Sequence, residues 1–193
     1  MRRSRGDKSM YDPAYPAPFN LARWLDENRA DLKPPVSNKL LFDDKSGVVV
    51  QIIGGGNQRV DFHDDPVQEF FFQLKGDMIL KVHEAGAIRD VPIREGEVFL
   101  LPPHVRHSPQ RPQPDSIGLV IEGARASGMC DGFEWFCFEC GERVARVEIV
   151  LEDIVKDLPP LFDAFYADLE RRTCRACGSV HPGKTPPPGW ATL

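Results

Sequence analysis

The chain has 193 residues, ordinary apolar content and a formal net charge of −5. A chain of this length buries a core without disulfide or metal staples, and its acidic balance argues against a nucleic-acid partner, which needs a basic surface. No apolar run approaches membrane-spanning length or has the form of a signal-peptide core, so no membrane partner is expected and the chain reads as cytoplasmic.

The basic start, Met1-Arg2-Arg3-Ser4-Arg5, leads into no apolar segment, and Pro13 and Pro16 oppose regular structure. Residues 1–17 therefore read as a tail rather than a targeting peptide. Asn20 can cap a short helix over Leu21 to Asn28, with Leu21, Trp24 and Leu25 on one face for packing on a sheet. Lys33-Pro34-Pro35 ends that segment, and Asn38 falls in a loop or a first strand. Val48 to Ile53 is a β-branched strand closed by Gly54-Gly55-Gly56. No Lys-Ser/Thr follows those glycines, so they read as a tight turn or bulge and not a phosphate loop. Gln58 to His63 alternates, which places Arg59, Asp61 and His63 on one face.

Glu69 to Leu74 is the next strand, with aromatics on both faces and hence burial on both sides. A carboxylate at its head is costly unless it is paired or binds a metal. The Asp64-Asp65-Pro66 stretch between His63 and Glu69 reads as a turn that brings the two towards one point. One imidazole and one carboxylate are two of the three ligands of a facial triad for non-haem iron. Met78 to Val82 is a further strand, and His83-Glu84-Ala85-Gly86 a turn with an exposed His83. Val91 and Ile93 lead to a turn at Arg94-Glu95-Gly96-Glu97, and Val98 to Leu101 reads as a buried strand. Behind it, His104 and His107 are alternatives for the third ligand, since an odd spacing turns them to opposite faces of one strand. Ile117 to Ile121 is a last apolar strand, ending in Glu122.

From Cys130 the composition changes. Cys137-Phe138-Glu139-Cys140-Gly141 and Cys174-Arg175-Ala176-Cys177-Gly178 are two matched knuckles. Four such thiolates make a tetrahedral site for zinc or iron in a reducing compartment. Between them Arg146 to Leu151 is strand-like, and Pro159 to Arg171 is helical, with Leu161, Phe162, Phe165, Tyr166 and Leu169 as its packing face. Cys130 reads as an inert small hydrophobe. His181 is not needed for four ligands, and Thr185 to Leu193 is a Pro-rich tail.

About seven or eight short strands and little helix imply a sandwich or barrel. His63, Asp65, Glu69 and Gly76, then Gly96, Pro102, His104, His107 and Arg111, resemble the two cupin motifs, with Asp65 where a second histidine commonly stands. The stretches Arg59 to Pro66, Glu69 to Phe71 and Leu100 to Pro112, with the knuckles behind, closely resemble the bacterial 3-hydroxyanthranilate 3,4-dioxygenase family from about Pro18 to Gly183. The resemblance implies a mainly β fold: a cupin (jelly-roll type) β-barrel over 18–129, a rubredoxin-like four-cysteine appendage over 130–183 and a tail over 184–193. It implies Fe(II) on His63, Glu69 and His107, the last chosen because it stands at the motif's ligand position. The implied reaction opens 3-hydroxyanthranilate with dioxygen to 2-amino-3-carboxymuconate semialdehyde, the precursor of quinolinate, in kynurenine breakdown and NAD synthesis. Arg111 is implied as the partner of the substrate carboxylate, Glu122 as acceptor from its hydroxyl or amine, and Arg59 and Asn38 as neighbours of the dioxygen. Cys137, Cys140, Cys174 and Cys177 are implied to hold a second iron (zinc is the alternative) that the chemistry does not need. A homodimer is implied as well, and an apolar wall at the Phe70 strand is expected to keep water out.

Two rival readings use the same residues. One is a cupin dioxygenase for another hydroxylated aromatic acid. The other is a non-enzymatic cupin sensor of a small acid, with the knuckles as a docking module. Arg111 and Glu122 favour the amino-phenol acid, and the acidic stretch Glu134 to Glu142 disfavours a zinc-ribbon nucleic-acid binder.

Overall fold

Runs of β-branched and aromatic residues between glycine turns pair here as antiparallel strands. A computed structural model describes residues 17–34, 37–42, 47–152 and 154–193. The tail expected over 1–17 lies, apart from residue 17, outside them. The first of two compact units ends at Ala30. Its described part is helix α1 (Leu21–Asn28), capped by Asn20, whose side chain accepts from the Arg23 N–H at 2.9 Å.

The second unit, Asp31–Leu193, carries the strands. They are β1 (Asn38–Leu40), β2 (Val48–Gly54), β3 (Phe62–Asp64), β4 (Glu69–Lys75), β5 (Met78–Glu84), β6 (Ala87–Ile93), β7 (Val98–Leu101), β8 (Arg106–Gln110), β9 (Ile117–Gly123), β10 (Asp131–Phe136) and β11 (Arg143–Ile149). Helices α2 (Ile154–Ala167) and α3 (Leu169–Arg172) follow. One sheet has the order β1-β2-β9-β4-β7 and the other β11-β10-β3-β8-β5-β6. Phe71, Leu101 and Val120 of the first meet Met78, Leu80, Val82 and Ile93 of the second in one buried cluster. Among the described residues no ladder joins the two sheets, so the jelly roll is a flattened barrel with its interior between them. A second cluster lies under α2, where Phe165 stacks on Trp135 at 4.1 Å.

Inward and outward residues alternate as the pleat requires. In β4, Glu69, Phe71 and Gln73 are buried and face the interior; across the β4–β9 ladder they pair with Glu122, Val120 and Gly118. Phe71 is thus the inward aromatic of this strand, and Phe70 belongs to its opposite face.

Several expectations need correction. His83 lies inside β5 rather than in a turn and is half-buried, its ring stacked on Phe136 at 3.7 Å. The turn is Ala85-Gly86, where both residues have positive φ. β7 is an edge strand, and its outward residues Val98 and Leu100 are each 60% exposed, not buried. The C-terminal helix starts earlier than Pro159 and stops at Ala167. Asp168 breaks it by capping α3, whose Leu169 is 59% exposed and outside any packing face. Cys130, read as an inert small hydrophobe, is an exposed free thiol. The Pro-rich end packs down through Trp190, whose indole N–H donates to the Arg59 carbonyl at 2.9 Å. The same ring meets Phe62 and Phe138 edge-on and lies under the Lys81 ammonium.

Candidate active site

β3 and β4 belong to different sheets, and the turn between them carries the chain from one to the other. Asp65 closes that turn by accepting from the Val67 N–H at 2.9 Å. His63 and Glu69 consequently face each other across the interior, with His63 Nδ1 3.7 Å from Glu69 Oε1. β8 lies beside β3, and the one register pair between them is His63 with His107. His107 points inward and puts Nε2 2.7 Å from Glu69 Oε1. His104 has a positive φ of 63°, which breaks the alternation before β8 and turns its ring outward onto Asp64, 3.0 Å away.

The hydrogen bonds define which nitrogens are free. His107 Nδ1 lies 2.8 Å from the Val105 carbonyl, which can only accept, so Nδ1 carries the proton and Nε2 of the neutral ring has a lone pair. His63 Nε2 lies 2.8 Å from the Asp131 carboxylate and donates to it, leaving Nδ1 bare. Glu69 Oε1 is buried and has no hydrogen-bond donor. Two lone pairs facing each other at 2.7 Å repel unless a proton or a cation lies between them. Without a metal, a proton does so. Burial lowers the His107 basicity, but the facing Glu69 outweighs it and raises the net value. Burial likewise raises the Glu69 carboxyl, and the opposing His107 and His63 outweigh it and hold it at about 2. His63, Glu69 and His107 offer three donors within 4.8 Å of one another. That set fits a divalent cation with other coordination positions left open, and the Asp131 bond to His63 is the outer contact that fixes such a ligand.

Around the triad lie Asp65 and Glu122, both singled out in the sequence, and Asp131, Arg125 and Gln51, which the sequence pattern did not mark. Arg125 donates to Asp65 at 2.9 Å, to Glu122 at 2.9 Å and to Asp131 at 2.7 Å. Gln51 donates to the other Glu122 oxygen at 2.9 Å. Burial and the neighbouring Glu69 raise the Glu122 carboxyl against the pull of Arg125, and burial pushes Asp65 to about 7. Asp131 moves the other way: burial raises it, but the bonds from His63 and Arg125 win.

The triad opens onto a cavity of about 240 Å³ walled by Phe71, Phe133, Leu158 and Phe162. Phe133 stacks on the His63 ring at 4.9 Å. Asn38, Arg59 and Glu122 line the same cavity. Arg59 is tied to Asp61 through Nε and Nη2, one edge of its guanidinium, which raises its basicity over the opposing effect of burial. Arg111 is not on that wall. Its guanidinium lies over Gly118 and donates to Gln73 Oε1 at 2.6 Å, the next inward residue of β4 after Glu69 and Phe71. It is 1% exposed and faces no carboxylate, and burial alone lowers it to about 10.

The knuckles also converge. Cys137 Sγ is 3.6 Å from Cys177 Sγ, and Cys140 Sγ is 3.6 Å from Cys174 Sγ. That is too far for disulfides and close to the roughly 3.8 Å edge of a tetrahedron with metal–sulfur bonds of about 2.3 Å. The hydroxyl and backbone N–H of Ser179 hold the Cys177 thiol down at about 6, towards the thiolate a metal needs.

A jelly roll with a His, Glu, His triad at the mouth of its interior defines a metal-dependent enzyme of the cupin type. The chain belongs to the 3-hydroxyanthranilic acid dioxygenase family, whose model matches residues 15–166. A 3-hydroxyanthranilate 3,4-dioxygenase from Ruegeria pomeroyi is 60% identical over 175 residues, spanning 91% of this chain and 97% of the relative. One of the same description from Jannaschia sp. is 59% identical over the same shares. Among solved structures, a cupin-2 domain containing protein from Shewanella frigidimarina is 13% identical, covers 52% of this chain and 92% of that one, and has a TM-score of 0.43.

Proposed function

We propose that this chain opens the ring of 3-hydroxyanthranilate with dioxygen at a centre of Fe(II) held by His63, Glu69 and His107. The observation that carries the reading is the convergence of Glu69 Oε1 on His107 Nε2 at 2.7 Å and on His63 Nδ1 at 3.7 Å, at the foot of a cavity partly walled by aromatic and aliphatic side chains. Fe(II) bound there supplies a Lewis acid and a one-electron donor that lets dioxygen react with an aromatic ring.

The chain's own residues supply the remainder. His63, Glu69 and His107 would hold the ion by three protein atoms, which would leave room on it for the adjacent hydroxyl and amine of the substrate. Glu122, a carboxyl of raised basicity on the cavity wall, accepts the hydroxyl proton. Arg111 is the cation assigned to the substrate carboxylate, because its present partner is neutral; it stands behind the cavity wall beside Gln73, so pairing requires the substrate to reach past Phe71. Arg59, held by Asp61, is a fixed charge on the oxygen side, with Asn38 beside it, and favours negative charge developing there. Phe71 and Phe133 keep water out. Both oxygen atoms enter the product, 2-amino-3-carboxymuconate semialdehyde, which cyclises to quinolinate on the route from kynurenine to NAD.

The four cysteines hold a second iron that turnover does not require. The free thiols suit a reducing cytoplasm. Val98 and Leu100 on the outer face of β7 support a homodimer that covers this edge. The test is oxygen uptake by anaerobically purified, Fe(II)-loaded protein on adding 3-hydroxyanthranilate, with product absorbance followed in the same cuvette. One product per oxygen consumed supports the reading; iron bound with no uptake would sink it.

A further inference from the structure

Distance alone does not choose the ligands of this centre. The groups His63, Asp65, Asp131 and Asp65, Glu69, Glu122 bring their donor atoms within 4.8 Å of one another, as the triad does. What separates the four carboxylates is their partners. Asp65 has one oxygen on Arg125 and the other on the Val67 N–H. Glu122 has one on Arg125 and one on Gln51. Both Asp131 oxygens accept from Arg125, and His63 adds a bond to one of them. Glu69 receives nothing from Arg125, and its Oε1 faces only the two triad imidazoles.

We propose that Arg125 is a positioning residue that reserves the metal for a single carboxylate: by holding Asp65, Glu122 and Asp131 it keeps them off the ion, and so keeps open the coordination positions that substrate and dioxygen must fill. The proposal rests on the triad reading above. A planar guanidinium suits the task because its five donors spread in a fixed fork, whereas an ammonium is a point charge that reaches one or two acceptors. Asp65 is the chief competitor, since it lies one turn from His63 with Oδ2 3.9 Å from His63 Nδ1.

The test is titration of the metal-free protein with Co(II) alone, followed by calorimetry and by the visible cobalt bands. The thiolate-to-cobalt charge-transfer bands report the four-cysteine site separately. Removing a partly buried positive charge beside a dication and freeing carboxylates should make Arg125→Gln bind Co(II) about tenfold more tightly. Its visible bands should weaken as the coordination number rises, and kcat should fall. Adding Asp65→Asn to that variant should return affinity and bands towards the parent. Weaker binding in Arg125→Gln, or unchanged bands, overturns the proposal, because a merely structural arginine would loosen the site. Should Arg125→Gln fail to fold, Arg125→Lys must shift both readouts the same way by less. Asp65→Asn with Arg125 present must leave the visible bands as they are, with affinity unchanged or lower because a nearby negative charge is lost; a change in the bands, or tighter binding, would count against the proposal. Glu69→Gln separates the two layers: if it keeps Co(II), the triad reading itself falls, whereas loss of Co(II) there with no tightening in Arg125→Gln removes only the role of Arg125.

Discussion

Arg111 offers a prediction in which stability and substrate affinity move in opposite directions. Burial lowers its guanidinium from the ordinary 12.5 to about 10. At neutral pH the group is charged in both folded and unfolded chains, so the depression is a cost to the fold of roughly 3 kcal/mol at 1.36 kcal/mol per unit. Arg111→Met removes that cost and keeps the packing volume. It also breaks the 2.6 Å bond to Gln73, leaving Oε1 unpaired, which costs about 1–3 kcal/mol. The balance favours the variant by up to about 2 kcal/mol, a rise of several degrees in the melting temperature of the metal-free protein at about 2–4 °C per kcal/mol. The substrate meanwhile loses a charge-assisted partner of about 1.5–3 kcal/mol, so KM should rise roughly 10- to 100-fold. Thermal unfolding and oxygen-electrode kinetics measure the two sides. A variant that melts several degrees lower, or binds substrate as before, would refute the argument that this cation is kept for an anion.

Four further outcomes are expected. Phe71→Ala opens the inward wall of β4 to water, so oxygen consumed per product should rise above one, while Phe70→Ala, on the other face, should leave the ratio alone. Asp65 is held at about 7, above its ordinary 3.8, so its contribution to the metal-free fold is complete below 3.8 and lost as pH rises through 7. The melting temperature of that form should fall from pH 5 to 8, and Asp65→Asn should lessen the fall; Glu69 and Asp131, both lowered, titrate below that window. Val98→Asp with Leu100→Asp should give a monomer by sedimentation if β7 is the dimer edge. Cys174→Ser should lose the second metal by elemental analysis and keep ring cleavage, and a dead enzyme with its catalytic iron intact would contradict a structural role for the knuckle.

The strands were legible because β-branched runs and glycine turns are local signals, and so was the triad's first half, since a carboxylate heading an aromatic strand is costly without a partner. The choice between His104 and His107 was not settled by spacing. Alternation says only that they oppose each other, and the left-handed φ at His104 that sets the phase is a tertiary outcome. Arg125, Asp131 and Gln51 carried no signal at all. They come from a loop and from β10 and β2, and meet only when the sheets close. Val98 and Leu100 misled for a related reason: an apolar run does not say whether its strand will be central or at an edge. Asp168 was read through because the apolar spacing of α2 continues past the residue that caps the next helix.

The cross-strand pairing of His63 with His107 has a consequence for how the protein is made. His63 and Glu69 leave the ribosome early, but their partner imidazole arrives on β8, and the carboxylate that orients His63 arrives on β10. A nascent chain therefore presents no finished centre until more than half of it has been synthesised. An ion held by these three side chains would be bound only after β3 has paired with β8 and β10, late in the synthesis of the chain.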